Sequence, residues 1–539
     1  MRIQRYLALA LAWFCLALGF GASWAQTQER SAKPSAATDP LGNFNRLPAE
    51  LEQRVGLLRT DLEANGFAVA RGYWTLWGVN DCKYPIQTVG YCYGNNPTAP
   101  YVLAVVPPWK DEYVDQKFHH LLNEPLRNMS AIYRLDQREA LVILAQLPPP
   151  ARYFGIQSNV FTREIAFNSE DPIIAFVKAD PLLQSILYGV SPDPSRMMLV
   201  ASIGNSTNNV VIEQQTQQSP WNRPAYIVIT SDGDMQTEAI NALVRAGASL
   251  SDIFTEPVSP ELVKVGLDHS ADDLITYIRY SMPVDSMAGE QWRDELPLAI
   301  LRVRDVSSRQ YENPLPVPAY EQRTANYDEN ALACNSCDFG ALQKAVLESW
   351  AQPQATPMPF FSAYKALDLI GQHCLGYGSP NPNVPRGPMD CLGDTQDADY
   401  QISRLSAQID DGQVIAVIGV LSTKTGNATY TSLSVNWFPQ LVGVVNIDDT
   451  VLDGTAASFA SALPNPANSQ LFYVYYVARD CTGLANCVEI PSRLVPTGGL
   501  IKFIQRNYVT PGSRRGPNPW KIVNPVTFTL DGRNRPMTQ

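Results

Sequence analysis

Three groups of side chains in this chain have the residue types and spacing to do chemistry. The first is Ser231-Asp232-Gly233-Asp234, which follows the apolar run at 225–230. Carboxylates at the carboxyl end of a buried strand, beside a helix N-terminus, are placed to act as general acid, general base or cation ligand. The plainer role open to the same residues is structural: Asp232 or Asp234 caps the helix and Gly233 permits the turn. His269, beside Asp268, completes this candidate acid/base set. The second group is Asp394, Asp397 and Asp399 in GDTQDADY, hard oxygen donors that would suit calcium, although their spacing is not that of an EF-hand loop.

The third group is the cysteines, which apart from Cys15 fall into sequence-local pairs. Cys82 with Cys92 and Cys481 with Cys487 bracket short loops and read as structural disulfides of an oxidising compartment. Cys334 and Cys337 form CNSC just before an amphipathic helix, and Cys374 and Cys391 bracket a Gly/Pro/Asn-rich loop. These four leave three readings open. They are two local disulfides; or the CxxC is a redox centre acidified by the helix dipole; or four thiolates hold zinc. The residues before CNSC do not resemble the buried strand that a redox motif follows, and the wide second pair does not favour zinc. Local disulfides are therefore the expectation.

Several classes of chemistry are disfavoured. HExxH, GxSxG, a P-loop, a dinucleotide fingerprint and CxxCH are all absent. The four histidines are His119, His120, His269 and His373, and adjacent residues on a helix diverge by about 100°, so His119 and His120 cannot chelate through one helical face. No cofactor is expected, with calcium the one candidate. A net charge of −11 without a basic cluster argues against nucleic acid or anionic membrane as a partner.

The N-terminus has the form of an export signal. Arg2 and Arg5 precede an apolar run at 6–20, and Ser23 and Ala25 supply the small residues for cleavage before Gln26. The run is shorter than the roughly 20 residues that span a bilayer, and no later run is long enough. The expectation is a secreted or periplasmic protein without stable membrane insertion, carrying a signal at 1–25 and a polar leader at 26–46.

The elements that must position these groups follow from periodicity. Residues 48–66 predict a helix, with Leu51, Val55, Leu58 and Leu62 on one face. Aromatic and β-branched runs at 67–110, 140–147 and 152–162 predict strands, with a short helix at 114–122 between them. A strand at 225–230 leads into a helix at 235–246 with Ile240, Leu243 and Val244 inward. Ser270 with Asp273 reads as the start of a helix at 271–282. NPLPVP at 313–318 opens a linker to residue 330, dividing an N-terminal α+β lobe (47–312) from a C-terminal β-rich lobe (331–539). Helices at 338–351 and 361–371 precede a β-rich region that includes a hairpin turning on TKTGN. The fold class is α+β.

One internal similarity stands out. An apolar run ending in Leu147, then Ala151, Tyr153, Asn159 and Phe161, is matched by a run ending in Leu421, then Ala428, Tyr430, Asn436 and Phe438. Two related hairpin-containing lobes would place a site between them, with Tyr153, Asn159, Tyr430 and Asn436 as ligand contacts. Trp74, Trp77, Tyr84, Tyr91 and Tyr93 could stack on sugar rings or aromatic ligands. Two functions are carried forward: a cofactor-independent extracytoplasmic hydrolase using acid/base carboxylates, and a binding protein for a small molecule or carbohydrate without turnover.

Overall fold

The computed structural model describes residues 44–164, 195–307, 309–334, 336–378, 389–404 and 407–534. The predicted signal, the leader up to residue 43 and the interior of the Cys374–Cys391 loop lie outside them. Leu51, Val55, Leu58 and Leu62 form the buried face of α1 (Ala49–Ala64), as their spacing requires. This helix and α4 (Gly233–Arg245) cover one face of a sheet ordered β1 (Phe67–Arg71), β11 (Leu298–Asp305), β4 (Glu139–Gln146), β8 (Pro224–Thr230) and β9 (Ile253–Pro257). Only the last of these pairs, β8 with β9, is parallel.

A second sheet runs β2 (Tyr73–Trp77), β3 (Tyr101–Val105), β10 (Asp273–Pro283), β5 (Ala151–Glu164) and β6 (Arg196–Ser202), with the short β7 (Thr207–Asn208) also on β5. Trp74, Ile143, Ile156, Ile227 and Ile278 pack between the two sheets. Gly72 is the corner at which the chain leaves the first sheet for the second, and a Cβ there would stand 2.3 Å from the Val105 carbonyl. Shorter helices α2 (Lys83–Val89), α3 (Asn209–Thr216) and α5 (Ser286–Glu295) lie in the connections.

The second half repeats this plan. Helix α6 (Asp338–Ser349) precedes β12 (Met358–Ser362), whose first residues pair with β21 (Val526–Asp531) and whose last pair with β13 (Ala398–Ser403). From β21 the order continues β15 (Gln413–Val420), β18 (Phe472–Ala478) and β19 (Cys487–Glu489), and again only the last pair is parallel. From β13 it continues β20 (Leu500–Tyr508), β16 (Tyr430–Phe438) and β17 (Val442–Asp448), with β14 (Ala407–Gln408) beside β20. Strand for strand, β12 stands for β1 and β2 together. In the same way β13 stands for β3, β15 for β4, β16 for β5, β17 for β6, β18 for β8, β19 for β9, β20 for β10 and β21 for β11.

The registers agree as well. Tyr153 faces Ser281 and Ile143 faces Ile300, while Tyr430 faces Tyr508 and Val417 faces Thr527. The sequence step from Ser281 to Ile300 equals that from Tyr508 to Thr527. The alignment of Leu147 with Leu421 and of Tyr153 with Tyr430 is therefore the one that strand pairing imposes.

Five expectations about local structure are corrected. Residues 271–282 are not a helix but the strand β10: Ser270 donates to Asp268 rather than capping, and LITYIRYSM is held between β3 and β5. A central strand buried on both faces shows no alternation, so its pattern passes for a helix. Residues 413–438 are not a hairpin, because β15 lies between β18 and β21 while β16 lies between β17 and β20. The TKTGN turn is instead a corner tied to Glu329, whose Oε1 accepts from Ser422, Thr425 and Asn427. The same is true of its counterpart, since β4 and β5 belong to different sheets. Residues 114–122 form turns, and 361–371 divides into the end of β12, a short helix α7 (Ala363–Leu367) and the start of α8 (Gly371–Cys374). Within α4, Leu243 is buried as expected but Val244 faces outward.

Candidate functional site between the two repeats

The repeat brings one arginine and one tyrosine to matching places in each half. Arg279 on β10 faces Tyr101 on β3, and Arg506 on β20 faces Tyr400 on β13. Each guanidinium lies over the ring opposite it, 5.4 Å from the centroid in the first half and 5.5 Å in the second. Both arginines are 5% exposed. The halves also meet here: Arg279 donates to the Tyr400 hydroxyl at 3.1 Å and to the Gly393 carbonyl at 3.2 Å, and Arg506 donates to the Gly94 carbonyl at 2.5 Å.

Gly94 and Gly393 belong to two matching straps, Tyr91-Cys92-Tyr93-Gly94-Asn95 and Asp390-Cys391-Leu392-Gly393-Asp394. Each strap leads into β3 or β13 of its own half and bonds to the other half. The Cys92 and Gly94 amides donate to the carbonyls of Gln440 and Leu441, and the Cys391 and Gly393 amides donate to those of Leu199 and Val200. The Asn95 side chain accepts from the Gly443 amide, and Asp394 accepts from the Ser202 amide at the corresponding place. Disulfides Cys82–Cys92 and Cys374–Cys391 anchor the straps. Cys334–Cys337 and Cys481–Cys487 are also bonded, so all four local pairs are disulfides.

The exchange holds the backbone in unusual conformations. Tyr93 and Leu392 have φ of +54° and +56°, and Val200 and Leu441 have +36° and +49°. Left-handed φ costs a non-glycine residue roughly 1–2 kcal/mol, and such strain gathers where surrounding structure over-determines the chain, commonly at binding sites. All four residues line two cavities. One lies against β2, β3 and β10 and is walled by Trp77, Tyr101, Tyr277 and Arg279. The other lies against β13 and β20 and is walled by Tyr91, Tyr400, Lys502 and Arg506. Tyr93 and Leu392 line both.

The electrostatics favour an anion. Among the described residues neither Arg279 nor Arg506 is ion-paired with a carboxylate; their partners are hydroxyls and carbonyls, and Arg279 Nε has none. Lys502 Nζ donates to the carbonyls of Ser403 and Arg404. The carboxyl on the wall, Asp390, accepts from the Leu392 amide and from Tyr91, its counterpart in the other strap. Burial pushes it up to about 8, so it is mostly uncharged at neutral pH. The Tyr93 hydroxyl has no hydrogen-bond partner.

The candidate residues read from sequence are distributed unevenly around this site. Tyr153 and Tyr430 do come together, both packed on Tyr508 with centroids 4.5 and 5.2 Å away. Asn159 donates to the Val200 carbonyl, Asn436 donates to Ser434, and the carboxamide oxygen of each accepts nothing. Asp394, Asp397 and Asp399 point into separate networks. Asp394 accepts from Ser202 and Gln396, Asp397 from Tyr153, Asn208 and Thr395, and Asp399 from Ser362. Among the described residues no three His, Cys, Asp or Glu side chains converge as a metal would require.

Asp232 caps α4, accepting from the amides of Asp234, Met235 and Asn313. Asp234 lies at the surface 3.7 Å from Arg309, and His269 is paired with Glu164 at 3.1 Å on a partly exposed face. Asp232 and Asp234 both accept from Asn313, whereas His269 is paired elsewhere. Tyr91 and Tyr93, read from sequence as possible stacking residues, do line the site, but Arg279, Arg506, Tyr101, Tyr400 and the exchange of the straps were not singled out by sequence. Their signal was present as Cys-x-Gly-Asx, which occurs as Cys92-Tyr93-Gly94-Asn95 and again as Cys391-Leu392-Gly393-Asp394.

Among the described residues no helix is long and apolar enough to cross a membrane. No protein-family model matches the chain, and no curated protein matches it. A crystal structure of an uncharacterized protein from Burkholderia cenocepacia aligns over 92% of this chain and 91% of its own, with 11% identity and a TM-score of 0.34.

Proposed function

We propose that this is an exported binding protein that takes a small anionic ligand, aromatic or otherwise planar, into the tyrosine-walled cavities between its two halves. The observation that carries this reading is the pair of buried arginines, Arg279 and Arg506, on the cavity walls without a carboxylate partner. A buried cation is costly unless its charge is met, and an incoming anion would meet it. Tyrosine walls supply apolar area with polar edges for a planar ligand. Export is supported by the disulfides, which persist outside the cytoplasm, together with the signal-like N-terminus. The hydrolase reading draws less from the geometry, because the oxygens of Asp232 are taken up by backbone amides.

Thermal unfolding of the mature protein tests the reading with benzoate and phenyl phosphate, using benzyl alcohol as the uncharged control. Ligands that bind only the folded state raise the melting temperature, by an amount that grows with the logarithm of ligand concentration above the dissociation constant. The anions should raise it and benzyl alcohol should not. Absence of a shift with either anion up to millimolar concentration would refute anion binding at this site.

A further inference from the structure

We infer that the ligand carries two acidic groups, one held beside Arg279 and the other beside Arg506, so that a single molecule bridges the two repeats. This rests on the anion-binding reading and adds the ligand's bipolar shape. Because the halves repeat one topology in one register, they present the same recognition element twice: an arginine facing a tyrosine across neighbouring strands. Two like half-sites facing one another suit a ligand with two like ends. The cavities are not independent, since Tyr93 and Leu392 form part of the wall of each. A molecule seated in one therefore reaches the boundary of the other.

The surroundings leave both ends in need of negative charge. Asp390, at the junction, is held largely uncharged by burial, which outweighs the opposing effect of the hydrogen bond it accepts from Tyr91. Asp394, the carboxylate behind Gly393, accepts from Ser202, Gly371 and Gln396 and meets Arg279 only through charge at a distance, without a bond to it. A monoacid would meet one guanidinium and leave the other buried and unmatched. Joining two acids in one molecule makes the second contact intramolecular, which raises affinity without a new kind of contact.

Isothermal titration of the mature protein with benzoate and with a dicarboxylate series, succinate to suberate and terephthalate, decides the matter. The expected result is two benzoates per chain but one dicarboxylate, with the best-fitting dicarboxylate bound roughly 10-fold or more tighter. Arg279→Gln and Arg506→Gln should each reduce benzoate to one per chain and remove the advantage of the dicarboxylate. If benzoate binds once per chain and no dicarboxylate exceeds it, the two-ended ligand is refuted while anion binding stands. If neither class binds, both readings fall. The stoichiometries of the unmodified protein are decisive even if a variant fails to fold.

Discussion

Arg279 and Arg506 occupy the same position of the same strand in two successive copies of one fold, each lying over the tyrosine opposite it on the neighbouring strand. The relationship extends outward through the straps: each arginine donates to the glycine carbonyl of the strap that belongs to the other half. What joins the repeats is thus the same set of contacts made twice. Four consequences can be measured.

The first concerns acidity. Burial raises Asp390 to about 8, Glu256 to about 7, and Asp394 and Asp399 to about 6. An acid whose folded value is raised binds its proton more tightly in the native state, so its contribution is present at low pH and is lost as pH rises through the folded value. For these groups unfolding free energy should fall from about pH 4, where the unfolded carboxyls begin to ionise, to about pH 8. Asp390→Asn should flatten the upper part of that slope in urea melts collected across the range.

The corner after β15 depends on one carboxylate. Glu329 accepts from Ser422, Thr425, Asn427 and the Val523 amide. Glu329→Ala strands these donors in the interior, each worth about 1–3 kcal/mol when buried without a partner. A loss of about 3 kcal/mol or more in urea unfolding is expected.

Inside the first half, Arg302 and Glu139 are both fully buried, with Arg302 also bonded to Glu112 at 2.7 Å. Removing Glu139 leaves Arg302 with Glu112 as its remaining carboxylate and strands the donors that Glu139 had accepted from, and breaking a buried ion pair in this way typically costs about 3–5 kcal/mol. Glu139→Ala should fall in that range by denaturant melts, and Arg302→Met paired with Glu139→Leu should recover much of the loss.

The disulfides should differ in importance. Cys82–Cys92 and Cys374–Cys391 anchor the straps, whereas Cys334–Cys337 closes a three-residue separation on a largely exposed turn. Replacing either strap disulfide with serines should cost about 2–4 kcal/mol. The same change at Cys334 and Cys337 should be nearly neutral. Melts of the three double variants, with intact-mass confirmation of the remaining bonds, give the comparison.

Much of the fold was legible because local chemistry decides it. The helical stripe from Leu51 to Leu62, the strand-to-helix step at Asp232 and the short cysteine spacings each act within a few residues. The strand at 273–283 was misread because its neighbours bury both faces, which erases alternation. The hairpin at TKTGN was misread because Glu329, distant in sequence, satisfies that turn and lets the two strands part.

The sequence by itself pointed to local cysteine pairs, while leaving redox and zinc readings open for four of them, and it determined the mixed α+β character and the correspondence of Tyr153 with Tyr430, since these depend on spacing and residue type. The tertiary structure alone decided that Arg279 stands against Tyr400 and that the glycine straps are exchanged. Those contacts join residues more than a hundred positions apart, and only closure of the two sheets onto one another brings their chemistry within reach.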